Sequence, residues 1–187
     1  TIGAIDPGSP AAAAGLEPGD TITKFDGEPA LDWEQVQIGI LMRPNRDIAM
    51  ELSRGAEQFT KTVRARVIDG KMGDIGVFPL VRIGQVTKGS PAEAAGLKVD
   101  DGLLRVAGAP LQSFADVPAK VRAAGDQPLA FEILRGQERL SINIAPKEGR
   151  VGISEKFVIK KFGFARAAKE AFRETWELLA YLRDIHQ

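Results

Sequence analysis

Gly8-Ser9-Pro10-Ala11 and Ala13-Ala14-Gly15-Leu16 return later in the chain as Gly89-Ser90-Pro91-Ala92 and Ala94-Ala95-Gly96-Leu97, at an offset of 81. The same register runs outward in both directions. Ile2-Gly3 falls on Ile83-Gly84, Asp20 on Asp101, Gly27 on Gly108, Pro29 on Pro110 and Val36 on Val117. It continues without a gap to Arg54-Gly55 on Arg135-Gly136 and Glu57 on Glu138. Two copies are too few for a stacked array, so the pattern describes a duplicated domain. A chain of 187 residues has room for two such small domains and a remainder.

Each copy carries the same local physics. A short strand, Ile2 to Ile5 or Ile83 to Val86, leads to Ser9-Pro10 or Ser90-Pro91. Serine caps a helix N-terminus, and proline suits the first helical position, where its missing N–H costs nothing. The alanines supply about one turn, and Gly15 or Gly96 suits the left-handed residue that ends it. Asp20 to Phe25 alternates as a half-buried strand does, with Asp26-Gly27 as a hairpin turn; Gly102 to Val106 with Ala107-Gly108 is its counterpart. A longer helix follows, with Asp32/Gln35 and Ser113/Asp116 in capping-box positions. Trp33, Val36, Ile40 and Leu41 share one helical face, as do Phe114, Val117 and Val121. Pro118 conflicts with an early start for the second of these helices, which is expected to begin late. Ile48, Met50 and Leu52 point one way from a strand, as do Leu129, Phe131 and Ile133; Phe59 to Val67 and Leu140 to Ala145 are the closing strands.

Composition removes several function classes. Apolar and charged fractions of 44% and 27% suit a folded, water-exposed domain, and 25 basic against 25 acidic residues leave no global field for nucleic acid. The absence of cysteine excludes disulfides, thiol chemistry and thiolate metal sites. The longest uncharged apolar run, Ile75 to Val81, falls far short of the ~20 residues of a membrane span. Thr1 opens directly into strand-like residues, with no signal sequence and no initiator methionine, so the chain is expected to be an excised piece of a longer protein.

The order of strand, short helix, strand pair, long helix and two strands resembles a bacterial PDZ domain. The G-S-P-A-x-x-A-G-L and D-G-x-P blocks are typical of PDZ repeats in envelope proteases. The resemblance implies an α+β, mostly β fold: two tandem, circularly permuted PDZ-like domains, each a small partly open β-barrel with two helices, and then a C-terminal amphipathic helix. In the permuted form a carboxylate-binding loop and the peptide-binding strand come first. Gly73, Asp74, Ile75, Gly76, Val77 and Phe78, running into Pro79, match them. On that basis the expected domains are 1–67, lacking its own binding strand and loop, and 72–147, with 148–187 as extended segment and helix. The expected site sets Gly73 to Phe78 against Phe114, Val117 and Val121, where an extended peptide adds to the strand edge and lodges its side chains against the long helix.

Val151-Gly152-Ile153, Lys160-Lys161-Phe162-Gly163-Phe164 and the stretch Ala165 to Trp176 are similar to the segment after the second PDZ domain in site-2 proteases of the regulator-of-sigma-E type. Those are membrane-embedded zinc metalloproteases. The resemblance implies the periplasmic side of a bacterial inner membrane and zinc in the parent protein. Its implied partners are the parent's membrane domain and the C-terminus of a pre-cleaved, membrane-anchored substrate such as an anti-sigma factor. Other readings are the PDZ pair of a periplasmic serine protease or chaperone, or a stand-alone adaptor.

No cofactor is expected in this chain, because the H-E-x-x-H helix that would hold catalytic zinc is absent from it. The sole histidine, His186, is one residue from the end and cannot serve Ser9, Ser53 or Ser90 as a base. Asp100-Asp101 and Glu174/Glu177 read as diverging or solvated carboxylates rather than as acid–base pairs. In the tail, Phe172, Trp176, Leu179 and Leu182 recur at helical spacing above a basic face. That stripe is expected to meet a membrane surface, a PDZ domain or a second copy of itself.

Overall fold

Serine followed by proline opens a helix in both copies, and every other element takes its place from that corner. Ser9 Oγ accepts from the Ala12 N–H at 3.2 Å and Ser90 Oγ from the Glu93 N–H at 3.3 Å, with Pro10 and Pro91 in the first turn. The computed structural model describes residues 1–156; the expected tail helix, His186 and the Glu174/Glu177 pair lie outside the described residues.

The first copy runs β1 (Ile2–Ile5), α1 (Pro10–Ala13), β2 (Thr21–Phe25), β3 (Glu28–Pro29), α2 (Trp33–Leu41), β4 (Asp47–Arg54), β5 (Glu57–Arg64), β6 (Arg66–Ile68), β7 (Met72–Asp74) and β8 (Val77–Pro79). The second runs β9 (Val81–Val86), α3 (Pro91–Ala94), β10 (Gly102–Val106), β11 (Ala109–Pro110), α4 (Asp116–Ala124), β12 (Leu129–Arg135), β13 (Glu138–Ile144) and β14 (Ile153–Glu155). The sheets are open and antiparallel. One has the order β3-β2-β4-β5, and another β13-β12-β10-β9-β14 with β11 on β10.

Alternation along the strands builds two separate cores. Ile48, Met50 and Leu52 on β4 are fully buried with Ile2, Ile22 and the inner face of α2, Val36 and Ile40. Leu129, Phe131 and Ile133 on β12 do the same with Ile83, Leu103, Val117 and Val121. Each core is sealed by one buried carboxylate. Asp20 takes two hydrogen bonds from Arg54, at 2.7 and 2.9 Å, and one from the Glu17 N–H. Asp101 takes two from Arg135, at 2.8 and 2.7 Å, and one from the Lys98 N–H. These carboxylate hydrogen bonds raise the affinity of both guanidinium groups for their protons. Asp100 turns the other way, to Lys156, so the adjacent carboxylates diverge as expected.

The two long helices begin differently. Asp32 caps α2 by accepting from the Gln35 N–H at 2.9 Å. Only the reciprocal half of the capping box expected at Ser113 and Asp116 forms, without a serine side-chain cap. Asp116 is itself the first helical residue and accepts from the Gln112 and Ser113 N–H groups, at 2.7 and 3.2 Å. The late start leaves Pro118 in the first turn, where no N–H is needed.

The expected domain boundaries need correction. Val77–Pro79 is expected to open the second domain, but β8 pairs antiparallel with β1, in the register Ile2↔Pro79 and Ile5↔Val77. Ile75 is wholly buried in the first core. The first domain therefore has its own loop and strand and ends at Pro79, not at residue 67. The second begins at Val81 and extends past 147, because β14 pairs with β9 and Val151 belongs to the second core. The reason lies in an insertion. Ile75-Gly76-Val77 recurs as Val151-Gly152-Ile153, five residues short of the offset of 81. The first copy places the β6–β7 hairpin there, where the second has only a tight turn bridged between Lys147 and Arg150.

Both domains belong to one compact unit, Thr1–Lys156. Arg105 of β10 reaches across to donate to the Ile5 carbonyl at 2.9 Å and lies 3.5 Å from the Asp6 carboxylate.

Candidate peptide grooves

Two hydrogen bonds that hold the segment before β8 recur before β14. The Ala11 N–H donates to the Ile75 carbonyl at 3.0 Å, and the Ala92 N–H to the Val151 carbonyl at 2.9 Å. Asp6 N–H donates to the Gly76 carbonyl, and Thr87 N–H to that of Gly152, at 2.9 and 2.8 Å. Both of those glycines are left-handed, with φ of 75° and 82°. A β-carbon on either would stand 2.3 Å from the β-carbon of the helix-capping serine, Ser9 or Ser90. Only glycine fits a turn with that sign of φ and that close an approach.

The turn delivers the next residues as an edge strand. Among the described residues β8 pairs only with β1, and β14 only with β9, so each leaves an open edge facing a long helix. The gap between edge and helix is an apolar groove in each domain. In the first, Trp33, Ile40 and Leu41 of α2 face Ile75, Val77 and Phe78. In the second, Val117 and Val121 of α4, with Phe114 just before it, face Val151, Gly152 and Ile153. An open strand edge beside an apolar helix face suits an added strand, with backbone bonds for affinity and side-chain pockets for selection.

The expected site is thus divided between two places. Gly73, Asp74, Ile75, Val77 and Phe78 line the first groove, with Gly76 in the turn beside it, and Phe114, Val117 and Val121 line the second. The sequence reading missed Trp33, Ile40 and Leu41 as the partners of the former, and Gly149 to Ile153 as the partners of the latter. One signal marks the missed segment: Gly73-Asp74-Ile75-Gly76-Val77 and Gly149-Arg150-Val151-Gly152-Ile153 share their glycines and their apolar positions.

The two loops differ where that pattern is free to vary. Asp74 Oδ1 accepts from the Gly76 N–H at 3.0 Å, while Oδ2 takes the Arg66 guanidinium at 2.7 Å. In the second loop the position is Arg150, exposed and making no ion pair among the described residues.

The described residues do not fit zinc. The chain has no cysteine and a single histidine, and among the described residues no three His, Cys, Asp or Glu side chains cluster as ligands. Nor is any helix among them long and apolar enough to cross a membrane.

A sequence model described as PDZ domain matches residues 1–45 and 82–135, one stretch in each copy. Among curated proteins, the chain is 28% identical over 172 residues to a protein of Neisseria meningitidis provisionally named a zinc metalloprotease, covering 81% of this chain and 39% of that one. It is 31% identical over 160 residues to the periplasmic pH-dependent serine endoprotease DegQ of Escherichia coli, with 74% and 34% covered. It is 26% identical over 210 residues to the regulator of sigma-E protease RseP of Salmonella typhimurium, with 95% and 46% covered. The chain therefore spans less than half the length of these relatives. With one match in each copy, and a strand–helix groove built alike in both, this chain belongs to the PDZ domain family.

Proposed function

We propose that the chain is the tandem PDZ region of a membrane-embedded zinc metalloprotease of the regulator-of-sigma-E type. In this reading it stands on the periplasmic side of the inner membrane and handles a membrane-anchored substrate already trimmed by an earlier cut. Its part is recognition, by strand addition to β8 or β14, together with steric screening of substrates that are still bulky. The likeness to RseP over 95% of the chain is the observation that carries the reading, because it extends beyond the two PDZ matches. Catalytic zinc would be held by another part of such a protein.

The 31% identity to DegQ favours a second reading, the PDZ pair of a periplasmic serine protease. The coding sequence upstream of Thr1 separates the two: an H-E-x-x-H helix selects the first and a G-N-S-G-G serine motif the second. Peptide recognition itself is tested by titrating the labelled chain with a peptide ending in an apolar residue. Shifts should concentrate along β8 with α2, or along β14 with α4. Affinity should be micromolar or weaker, since one added strand buries little surface. Shifts scattered away from both grooves would rule out strand addition.

A further inference from the structure

We propose that the first groove takes internal stretches of extended chain and does not select for a free C-terminus, with Asp74 as the residue that decides it. The inference rests on the reading that both grooves take extended peptide, and adds what kind each takes.

A terminal carboxylate at the head of an edge strand needs free backbone N–H groups and no nearby negative charge. The second loop meets both conditions. The Val151 and Gly152 N–H groups have no acceptor among the described residues, and Arg150 stands exposed beside them. In the first loop the Gly76 N–H is already taken by Asp74 Oδ1, at 3.0 Å. The carboxylate of Asp74 thus sits where a ligand's would arrive, and Arg66 on the neighbouring strand fixes it there at 2.7 Å. Arg66 and Asp74 face each other across the β6–β7 hairpin, the insertion that the second domain lacks. The first loop therefore carries its own anion.

The edges differ in the same sense. Leu80 N–H donates to the Thr1 carbonyl at 3.2 Å, so strand alternation turns the nitrogen of Pro79 to the open edge, where it has no hydrogen to give. The matching Lys156 N–H donates to the Arg82 carbonyl at 3.2 Å, which leaves Glu155 an N–H on the open edge. The first groove keeps its apolar wall of Trp33, Ile40 and Leu41. Chain passing through it needs neither a carboxylate cradle nor the missing bond.

The test uses the whole chain, ¹⁵N-labelled, and three probes: a short peptide ending in leucine as free acid, its C-terminal amide, and the same sequence continued by polar residues past the leucine. At Gly152 and Ile153 the free acid should bind roughly tenfold or more tightly than the other two. At Gly76 and Val77 all three should bind alike. Asp74→Gly, which removes both the cap and the charge, should give the first groove a tenfold preference for the free acid. Asp74→Asn, which keeps the cap, should not. A wild-type first groove that prefers the free acid, or that ignores the amide and the extended peptide while the second groove binds, overturns the proposal. Silence of both grooves towards all three probes overturns the peptide reading itself, and this inference with it.

Discussion

Asp101 is 2% exposed and bonded to Arg135 through both carboxylate oxygens, so its partners decide whether the second core closes. Removing one member of a buried pair leaves the other uncompensated at a cost of ~3–5 kcal/mol. The Arg135 side chain is 29% exposed and water can partly replace it, so Arg135→Ala should cost about 2–3 kcal/mol. Arg54→Ala should do the same to the first domain through Asp20, whose side chain is wholly buried. Urea unfolding of each variant, followed by amide signals from both domains, should show the loss in one domain at a time. Equal loss in both would mean that the pairs act through the contact between domains. Gly76→Ala and Gly152→Ala should act differently. Each would force a side chain into a left-handed turn 2.3 Å from a serine β-carbon, and so should abolish binding in its own groove and leave the other intact. Isothermal titration with groove-specific peptides reads this directly.

At the scale of elements, β14 is the piece whose membership is easiest to test. It pairs with β9, and Val151 just before it lies in the second core. A chain cut after residue 147 should therefore lose the dispersed amide spectrum of the second domain, while one cut after 156 keeps it. A folded second domain in the shorter chain would show that β14 is dispensable. The sequence made most elements legible, for identifiable reasons. Serine–proline corners, period-two burial on β4 and β12, and an apolar helix face are local signals that burial enforces. Which strand closes which domain is not local. Val77–Pro79 lies as near in sequence to β9 as to β7, and only its pairing with β1 settles the matter. The late start of α4 was legible through Pro118, whereas the capping role given to Ser113 was not: the Asp116 N–H donates to the Ser113 carbonyl, not to its hydroxyl, while the Asp116 carboxylate holds the Gln112 and Ser113 N–H groups. For the site, both half-grooves were visible as apolar patterns. Their pairing was hidden by a five-residue insertion that broke the repeat just where the second binding loop lies.

On the scale of the whole molecule, Leu80 alone separates the last strand of the first domain from the first strand of the second. The domains are further joined by Arg105 on the Ile5 carbonyl and beside Asp6. They should tumble as one body, and Arg105→Ala should loosen them. Backbone relaxation ought to give a single correlation time for the wild-type pair and two different ones for the variant; no change would mean that other contacts suffice. The antiparallel match of Ile2 with Pro79 also bears on how the protein comes into being. A ribosome releases β1 first and its partner nearly a whole domain later, so the pairing must close a long loop and cannot begin early. Until β8 emerges, the nascent chain shows an unmatched apolar strand to its neighbours. The closing strand that shapes each groove is also the last to be synthesised, and folding is completed at the place where ligand is later met.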